Sequence, residues 1–190
     1  MAIDDVWFFD RIAPVYDWVM PRAEESVLAA ALAHADGETA RVLDVGGGTG
    51  RASRAVDATT PVVVDASASM LREVPAGIER VRGDARTLPF PDEAVDAVMI
   101  VDAFHHLPDP EAVLGDVARV LRPGGVLVVQ EFDPGTLRGR LLEAGEAAFG
   151  LDSQFYTRED LATLLAEAGF EVSIVAGGFT YTLAGTKPGG

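Results

Sequence analysis

The residues best suited to chemistry lie in a run of acids and glycines that begins at Asp44. Its pattern is D-x-G-x-G-x-G, in which Asp44 is followed by Gly46, Gly48 and Gly50. Glycines at this spacing allow the backbone of a turn to approach a nucleotide closely. An acid directly before the turn disfavours a pyrophosphate, whereas it is a good partner for an ammonium group. The run therefore predicts a nucleotide ligand that carries an amine and needs no diphosphate.

The dinucleotide pattern G-x-G-x-x-G is absent from this turn. Counted from Gly46, its third glycine falls on Arg51. That glycine normally permits close packing between helix and strand. The sequence also leaves no region for a separate substrate domain, so an NAD(P)-dependent oxidoreductase is the less favoured alternative.

Two further acids follow the next two predicted strands. The carboxylate of Asp65 is suited to accept hydrogen bonds from both hydroxyls of a ribose, and Asp84 is placed to accept one from an adenine amino group. The apolar side chains of Ala66, Met70 and Leu88 lie beside these acids and can sandwich a purine. An amine, a ribose and an adenine without a diphosphate describe S-adenosylmethionine.

Two adjacent histidines, His105 and His106, follow the fourth predicted strand. Either is a candidate general base near neutral pH, and we favour His106. The alternative is that His106 only packs and forms hydrogen bonds there. Because no third ligand is evident nearby, the pair is a poor metal site and no metal is expected. With no cysteine in the chain, thiolate metal sites, disulfides and cysteine nucleophiles are excluded.

Strands alternate with helices along the chain, which is typical of a parallel sheet covered on both faces. We predict strands at 40–45, 61–65, 78–84, 94–102 and 126–132, and a hairpin of two strands, 171–177 and 179–188. We predict helices at 49–56, at 66–74 capped by Ser67, from Asp109 to a stop at 123–125, and at 156–170 capped by Thr157. Ligands bind beyond the carboxyl ends of such strands, where Asp65, Asp84 and Asp102 should meet the glycine turn.

The composition is strongly acidic, with 30 acids against 15 bases and a net charge of −15. This field disfavours nucleic acid as a partner. Lys187 is the only lysine, which favours a halophilic, haloarchaeal source over an ordinary acidic protein from a GC-rich genome. The chain shows no signal peptide and no apolar run of membrane-spanning length, so we expect a cytoplasmic protein.

Taken together, these motifs resemble the class I S-adenosylmethionine-dependent methyltransferases, specifically the type 11 group that includes the ubiquinone/menaquinone C-methyltransferases. The resemblance covers nearly the whole chain and is carried by FFDRIAPVYD, VLDVGGGTGR, VVVDASASML, GDARTLPFPDEAVDAVMIVDAFHHLPDP and RVLRPGGVLVVQEF. It implies one α/β domain, residues 1–190, with a Rossmann-like three-layer sandwich. The sheet should have seven mostly parallel strands and an antiparallel C-terminal strand. A helical cap at 1–36 and a substrate-side insertion at 133–156 should bind the methyl acceptor.

The resemblance also implies site residues, position by position. Those implied are Tyr16 as a cover, Asp44 with Gly46, Gly47 and Gly48 at the methionine end, Asp65 at the ribose, Ala66, Met70, Asp84 and Ala85 around the adenine, and Val101, Phe104 and His106 below the methyl group.

The expected function is in-line methyl transfer from S-adenosylmethionine, giving S-adenosylhomocysteine, to a small, apolar or quinone-like molecule. The chain has YDWVMP and DAFHHL where the quinone methyltransferases have YDxMN and FGxRN, so the acceptor and the atom methylated stay open. A non-catalytic S-adenosylmethionine-binding or regulatory subunit is the alternative. We expect a monomer or homodimer without an integral membrane span, and peripheral membrane contact stays open.

Overall fold

Seven strands build the sheet of the computed structural model, which describes residues 3–20, 23–58 and 60–189. They are β1 (Arg41–Val45), β2 (Thr60–Asp65), β3 (Glu79–Arg82), β4 (Val95–Val101), β5 (Leu121–Phe132), β6 (Glu171–Ala176) and β7 (Thr180–Thr186). Their order across the sheet is β3-β2-β1-β4-β5-β7-β6.

The pairing confirms the expected architecture. Strands β1 to β5 pair in parallel with one another. The terminal hairpin inserts β7 antiparallel between β5 and β6, and Phe132 lies opposite Thr180 at one end of the β5–β7 pairing. All carboxyl ends of β1 to β4 therefore lie along the same edge of the sheet.

The described residues also form seven α-helices. They are α1 (Ile3–Ile12), α2 (Tyr16–Val19), α3 (Glu25–Leu32), α4 (Ala68–Glu73), α5 (Pro110–Val120), α6 (Leu137–Ala148) and α7 (Arg158–Glu167). The predicted caps are confirmed: Ser67, Asp109 and Thr157 each accept a hydrogen bond from the backbone N–H three residues later. The helix α6 was not predicted.

Helices cover both faces of the sheet, because alternate strand residues enter two apolar cores. Leu43 and Ile100 pack in the core that contains the buried side chains of α5 and α7. Val42 and Met99 pack in the core that contains the buried side chains of α3. This gives the expected three layers. Within the described part of the chain, no helix is long and apolar enough to cross a bilayer.

Two local predictions are wrong. The predicted helix at 49–56 is reduced to a 3-10 turn, Ser53–Ala55, because Gly50 is left-handed (φ +77°) and the Asp44 carboxylate binds the Ser53 backbone. Helix α5 stops at Val120 rather than at 123–125. The Pro-Gly-Gly sequence instead lies inside β5, where the register with β4 shifts.

Candidate active site

A cavity of about 410 Å³ opens at the carboxyl ends of β1, β2, β3 and β4. Residues at or just after these four ends, together with side chains from α1, α2, α4 and the turn after β4, form its wall. The lining residues are Phe9, Tyr16, Val45, Gly46, Gly48, Val64, Asp65, Ala66, Met70, Arg82, Gly83, Asp84, Ala85, Asp102, Ala103, His106 and Leu107.

The turn after β1 needs its glycines for steric reasons. A Cβ on Gly46, which has φ +68°, would lie 2.9 Å from the Cβ of Ala103. A Cβ on Gly47 would lie 2.5 Å from Cγ of Asp44. Side chains here would therefore push the turn away from both β4 and the acid that precedes it. The bare backbone of Gly46 and Gly48 is left facing the cavity.

The carboxylate of Asp44 lies beneath this turn and is almost fully buried. Its Oδ2 accepts hydrogen bonds from the Ser53 backbone N–H at 3.0 Å and from Ser53 Oγ at 2.7 Å. Its Oδ1 has no hydrogen-bond partner among the described residues. Burial raises the pKa of Asp44 to about 6. A buried carboxylate oxygen without a donor is a site for a cationic N–H group.

A second acid, Asp102, repeats this arrangement at the end of β4. Its Oδ2 accepts from Nη2 of Arg51 at 2.6 Å, while Oδ1 is buried without a hydrogen-bond partner among the described residues. Burial raises its pKa. The backbone of Asp102 is left-handed (φ +52°), an uncommon conformation that often marks functional sites.

The third buried acid, Asp65, joins the ends of β1 and β2. Its Oδ2 accepts from the Gly48 N–H at 2.9 Å and its Oδ1 from the Ser67 N–H at 2.7 Å. Burial raises the pKa of Asp65. Each oxygen keeps a second lone pair, so the carboxylate can still accept from a pair of ligand hydroxyls.

The fourth acid, Asp84, differs from these three because it is partly exposed and already ion-paired. The guanidinium of Arg86 binds both carboxylate oxygens and lowers the pKa of Asp84 to about 2. Ala85 and, across the cavity wall, Ala66 and Met70 add apolar surface. A flat apolar ring with a polar edge fits this part of the wall.

The N-terminal helices cover the cavity with aromatic side chains. Burial raises the pKa of Tyr16 to about 12, and its hydroxyl interacts with Arg51. Phe9 meets Tyr16 edge to face, with ring centroids 6.3 Å apart, and meets His106 in the same way at 5.0 Å. The helices α1 and α2 are thereby connected to both the glycine turn and the histidine pair.

The two adjacent histidines have opposite environments. Burial alone would lower the pKa of His105, but the Glu131 carboxylate, 2.7 Å from Nδ1, outweighs burial and raises this pKa to about 10. Burial and the neighbouring His105 lower the pKa of His106 to about 3. His106, which lines the cavity, is therefore neutral at pH 7, and the same low pKa makes its imidazole a weak base.

The expectation that no third ligand-type side chain lies near the histidines is wrong. Helix α6 places Glu146 with Oε1 3.6 Å from Nε2 of His105 and Oε2 4.0 Å from Nε2 of His106. Ser153 Oγ lies 3.1 Å from Nδ1 of His106 and donates to Glu146. These contacts depend on α6, which the sequence did not predict.

Most of the residues implied by the sequence meet around this cavity, and some do not line it. Asp44 and Gly47 lie behind the turn, His105 lies behind His106, and Val101 and Phe104 are buried below the wall. Sequence reasoning missed Arg51, Arg82, Leu107, Glu131, Glu146 and Ser153. Only Glu131 had a visible signal, since it is an acid at the end of an otherwise apolar strand.

Comparison with known proteins finds that this chain is similar to methyltransferases. Residues 43–129 match the family model described as a methyltransferase domain. The ubiquinone/menaquinone biosynthesis C-methyltransferase of Pseudomonas savastanoi pv. phaseolicola is 34% identical over 69% of this chain and 65% of its own length. The fatty-acid O-methyltransferase of Mycolicibacterium smegmatis is 40% identical over 54% of this chain and 40% of its own length. The chain thus spans just under two thirds of the first relative.

A solved structure agrees over a larger share of the chain. The S-adenosylmethionine-dependent methyltransferase of Thermotoga maritima superposes with a TM-score of 0.76, at 26% identity, over 94% of this chain and 98% of that one.

Proposed function

Because the chain belongs to the class I S-adenosylmethionine-dependent methyltransferase family, we propose that it methylates a small, apolar or quinone-like molecule. The observation that carries this proposal is the charge of the cavity. The buried carboxylates of Asp65 and Asp102 line the cavity, and that of Asp44 lies behind its glycine turn. Of these three, Asp102 is ion-paired, with Arg51. Such a site favours a cationic ligand with an ammonium group and disfavours a diphosphate.

The residues present fit S-adenosylmethionine at each of its parts. The Oδ1 atoms of Asp44 and Asp102 would pair with the ammonium group, beside the backbone of Gly46, Gly47 and Gly48. Asp65 would accept from the ribose hydroxyls. The adenine would lie among Ala66, Met70, Asp84 and Ala85. Tyr16 would cover the bound cofactor.

When bound, S-adenosylmethionine supplies an electrophilic methyl group on a sulfonium. The chain's part is to position the acceptor and to remove its proton. His106 is the proposed general base, because its imidazole lines the cavity and is unprotonated at pH 7. In this role its pKa must rise from about 3 when cofactor and acceptor bind. His105, held by Glu131, acts as a positioning residue that fixes the turn. Val101 and Phe104 support that turn from below.

The acceptor is proposed to bind between the N-terminal cap, 1–36, and the insertion, 133–156. Aromatic contacts run from the cavity to this surface: Phe9 in the wall meets Phe8 at 5.6 Å, and Phe8 meets Phe149 after α6 at 6.2 Å. An apolar acceptor suits these rings. The named acceptors of the two relatives, a quinone precursor and a fatty acid, support the same chemical class.

Titration calorimetry in high KCl tests the cofactor, with S-adenosylmethionine, S-adenosylhomocysteine and NAD as ligands. We expect micromolar binding of the first two and none of NAD. Asp102→Asn should weaken binding at least about tenfold, since hydrogen bonds to charged groups contribute roughly 1.5–3 kcal/mol. The matched control is Asp57→Asn, which removes the same charge from an exposed position. Binding of NAD alone would overturn the proposal.

The transfer step needs its own assay, in which labelled S-adenosylmethionine is offered with quinols, phenols and fatty acids. Transfer of the label to any of these acceptors would support the proposal that the protein is a catalytically active methyltransferase. Tight cofactor binding without transfer to any acceptor supports a non-catalytic S-adenosylmethionine-binding subunit instead.

The acidic composition carries a second, smaller proposal, that the protein works in the cytoplasm of a halophile. Its support is the net charge of −15 and the single lysine. A hydrated carboxylate surface remains soluble in concentrated salt. The melting temperature should rise from dilute to molar KCl, and an unchanged or lower value would contradict this.

A further inference from the structure

We propose that His105, His106 and Glu146 form a binding site for one divalent transition-metal ion of the zinc class. Their ligand atoms all lie within 4.8 Å of one another. Two imidazoles and a carboxylate form a ligand set that binds zinc and similar ions in preference to calcium and magnesium. The site joins the turn after β4 to helix α6, at the wall of the cavity.

The first ligand, His105, is oriented by an outer carboxylate. Glu131 Oε2 accepts from Nδ1 at 2.7 Å, and Glu131 Oε1 is itself fixed by the backbone N–H of Phe104 at 2.7 Å. Glu131 therefore keeps a proton on Nδ1, and a metal ion would displace the other proton, on Nε2, which faces Glu146. A carboxylate behind a histidine in this way is the usual support of metal-bound imidazoles.

The second ligand, His106, has a comparable support. Ser153 Oγ donates its only proton to Glu146 Oε2 at 2.5 Å, so toward Nδ1 of His106, 3.1 Å away, it can only accept. This assigns the proton of His106 to Nδ1 and the lone pair to Nε2. With a metal ion replacing the Nε2 proton of His105, both histidines would present Nε2 lone pairs to an ion that Glu146 also contacts.

The distances leave room for an ion of this size. Zinc bonds to nitrogen and oxygen of about 2.0–2.2 Å separate the ligand atoms of a tetrahedral site by roughly 3.4 Å. The separations from Glu146 are 3.6 Å to Nε2 of His105 and 4.0 Å to Nε2 of His106. Three protein ligands leave a fourth position, and His106 places that position beside the cavity. Zinc sites with three protein ligands are typically reactive rather than structural.

Zinc titration of the full chain, dialysed first against a chelator, tests the site. We expect one ion per chain, with micromolar or tighter affinity, and no displacement by excess calcium. Glu146→Gln should weaken zinc binding at least about tenfold. Glu143→Gln is the matched control, because it removes the same charge from an exposed position of the same helix. His34→Ala removes the exposed histidine outside the site and should also bind normally.

A second readout covers variants that are destabilised. Zinc should raise the melting temperature of the natural chain and of Glu143→Gln more than that of Glu146→Gln at the same zinc concentration. Cobalt should give the visible absorption of a nitrogen- and oxygen-ligated ion. Absence of zinc binding, displacement by calcium, or equal binding by Glu146→Gln would each overturn the site. These measurements use no S-adenosylmethionine, so the metal site can fail without the proposed function failing. A zinc-bound His106 could not act as the base, so the base role belongs to the metal-free protein.

Discussion

The two ends of the cavity are built in different ways. At the donor end, buried acids follow the strands of a parallel sheet, and Asp65 is fixed by two backbone N–H groups. Beside the cavity, where the acceptor is proposed to bind, the short helices and the residue after α6 expose large apolar side chains: 63% for Trp7, 91% for Trp18 and 76% for Phe149. The proposed donor site is thus fixed by hydrogen bonds at the strand ends, whereas the proposed acceptor surface consists of exposed side chains. Changes in exposed side chains disturb the sheet less.

The largest expected effect lies where the two ends meet. His106→Ala should lower kcat by roughly 10²–10⁴, because a general base contributes about that factor. The Kd for S-adenosylmethionine should change less than about threefold. The assay uses chelator-treated protein, so that any metal at the site is removed, and His34→Ala is the control. Full activity would exclude His106 as the base.

Asp65→Ala should have the next largest effect, and only on the donor end. It removes the acceptor for the ribose hydroxyls and leaves the N–H groups of Gly48 and Ser67 without their partner. We expect about a hundredfold weaker binding of S-adenosylmethionine, from roughly 3 kcal/mol. Calorimetry measures this change in affinity, with Asp57→Ala as the matched control. Unchanged affinity would show that the ribose does not lie at the end of β2.

The pH dependence of cofactor affinity should sharpen the same contrast. Because the pKa of Asp44 is raised to about 6, lowering the pH through 6 protonates it and removes its charge from the ammonium site. Affinity should fall below pH 6, approaching about tenfold per pH unit. Burial also raises the pKa of Asp65 and that of Asp102. Their protonation at low pH should therefore weaken cofactor binding as well.

Calorimetry at pH 5, 6 and 7 follows this fall. In Asp44→Asn the affinity should be lower at pH 7 and its pH profile flatter. If the pH profile of Asp44→Asn matched that of the natural chain, Asp44 would not contact the ammonium group.

The smallest effect is expected at the acceptor surface. Phe149→Ser removes an exposed ring, so the free energy of unfolding should change by less than about 0.5 kcal/mol. Cofactor affinity should be unchanged, while KM for an apolar acceptor should rise about threefold. Ile174→Ser is the matched control, since Ile174 is exposed on β6 at the far edge of the sheet. Equal KM values in the two variants would place the acceptor elsewhere.

The donor end could be predicted from the sequence because its residues are tied to strand ends. A buried strand such as β2 is readable as an apolar run, and the position of Asp65 follows from the end of that run. The Oδ1 atoms of Asp44 and Asp102 lack a hydrogen-bond partner among the described residues because of how the surrounding side chains pack. The spacing of residues along the sequence does not indicate such packing.

Helix α6 was missed for a physical reason. Its sequence contains Gly139 and Gly145, which read as helix breakers. In the structure Gly139 is required by close packing, because a Cβ there would overlap the backbone of Asp133. Once α6 was missed, the contacts of Glu146 with both histidines could not be foreseen.

The antiparallel insertion of β7 has a consequence for biosynthesis. The edge of β5 that finally pairs with β7 is completed only when the segment around Thr180 has left the ribosome. Until then the nascent chain exposes an unpaired, strongly apolar strand edge, which is a template for association between chains. Emergence of the β6–β7 hairpin should therefore be the step at which this edge of β5 is covered and its risk of aggregation ends.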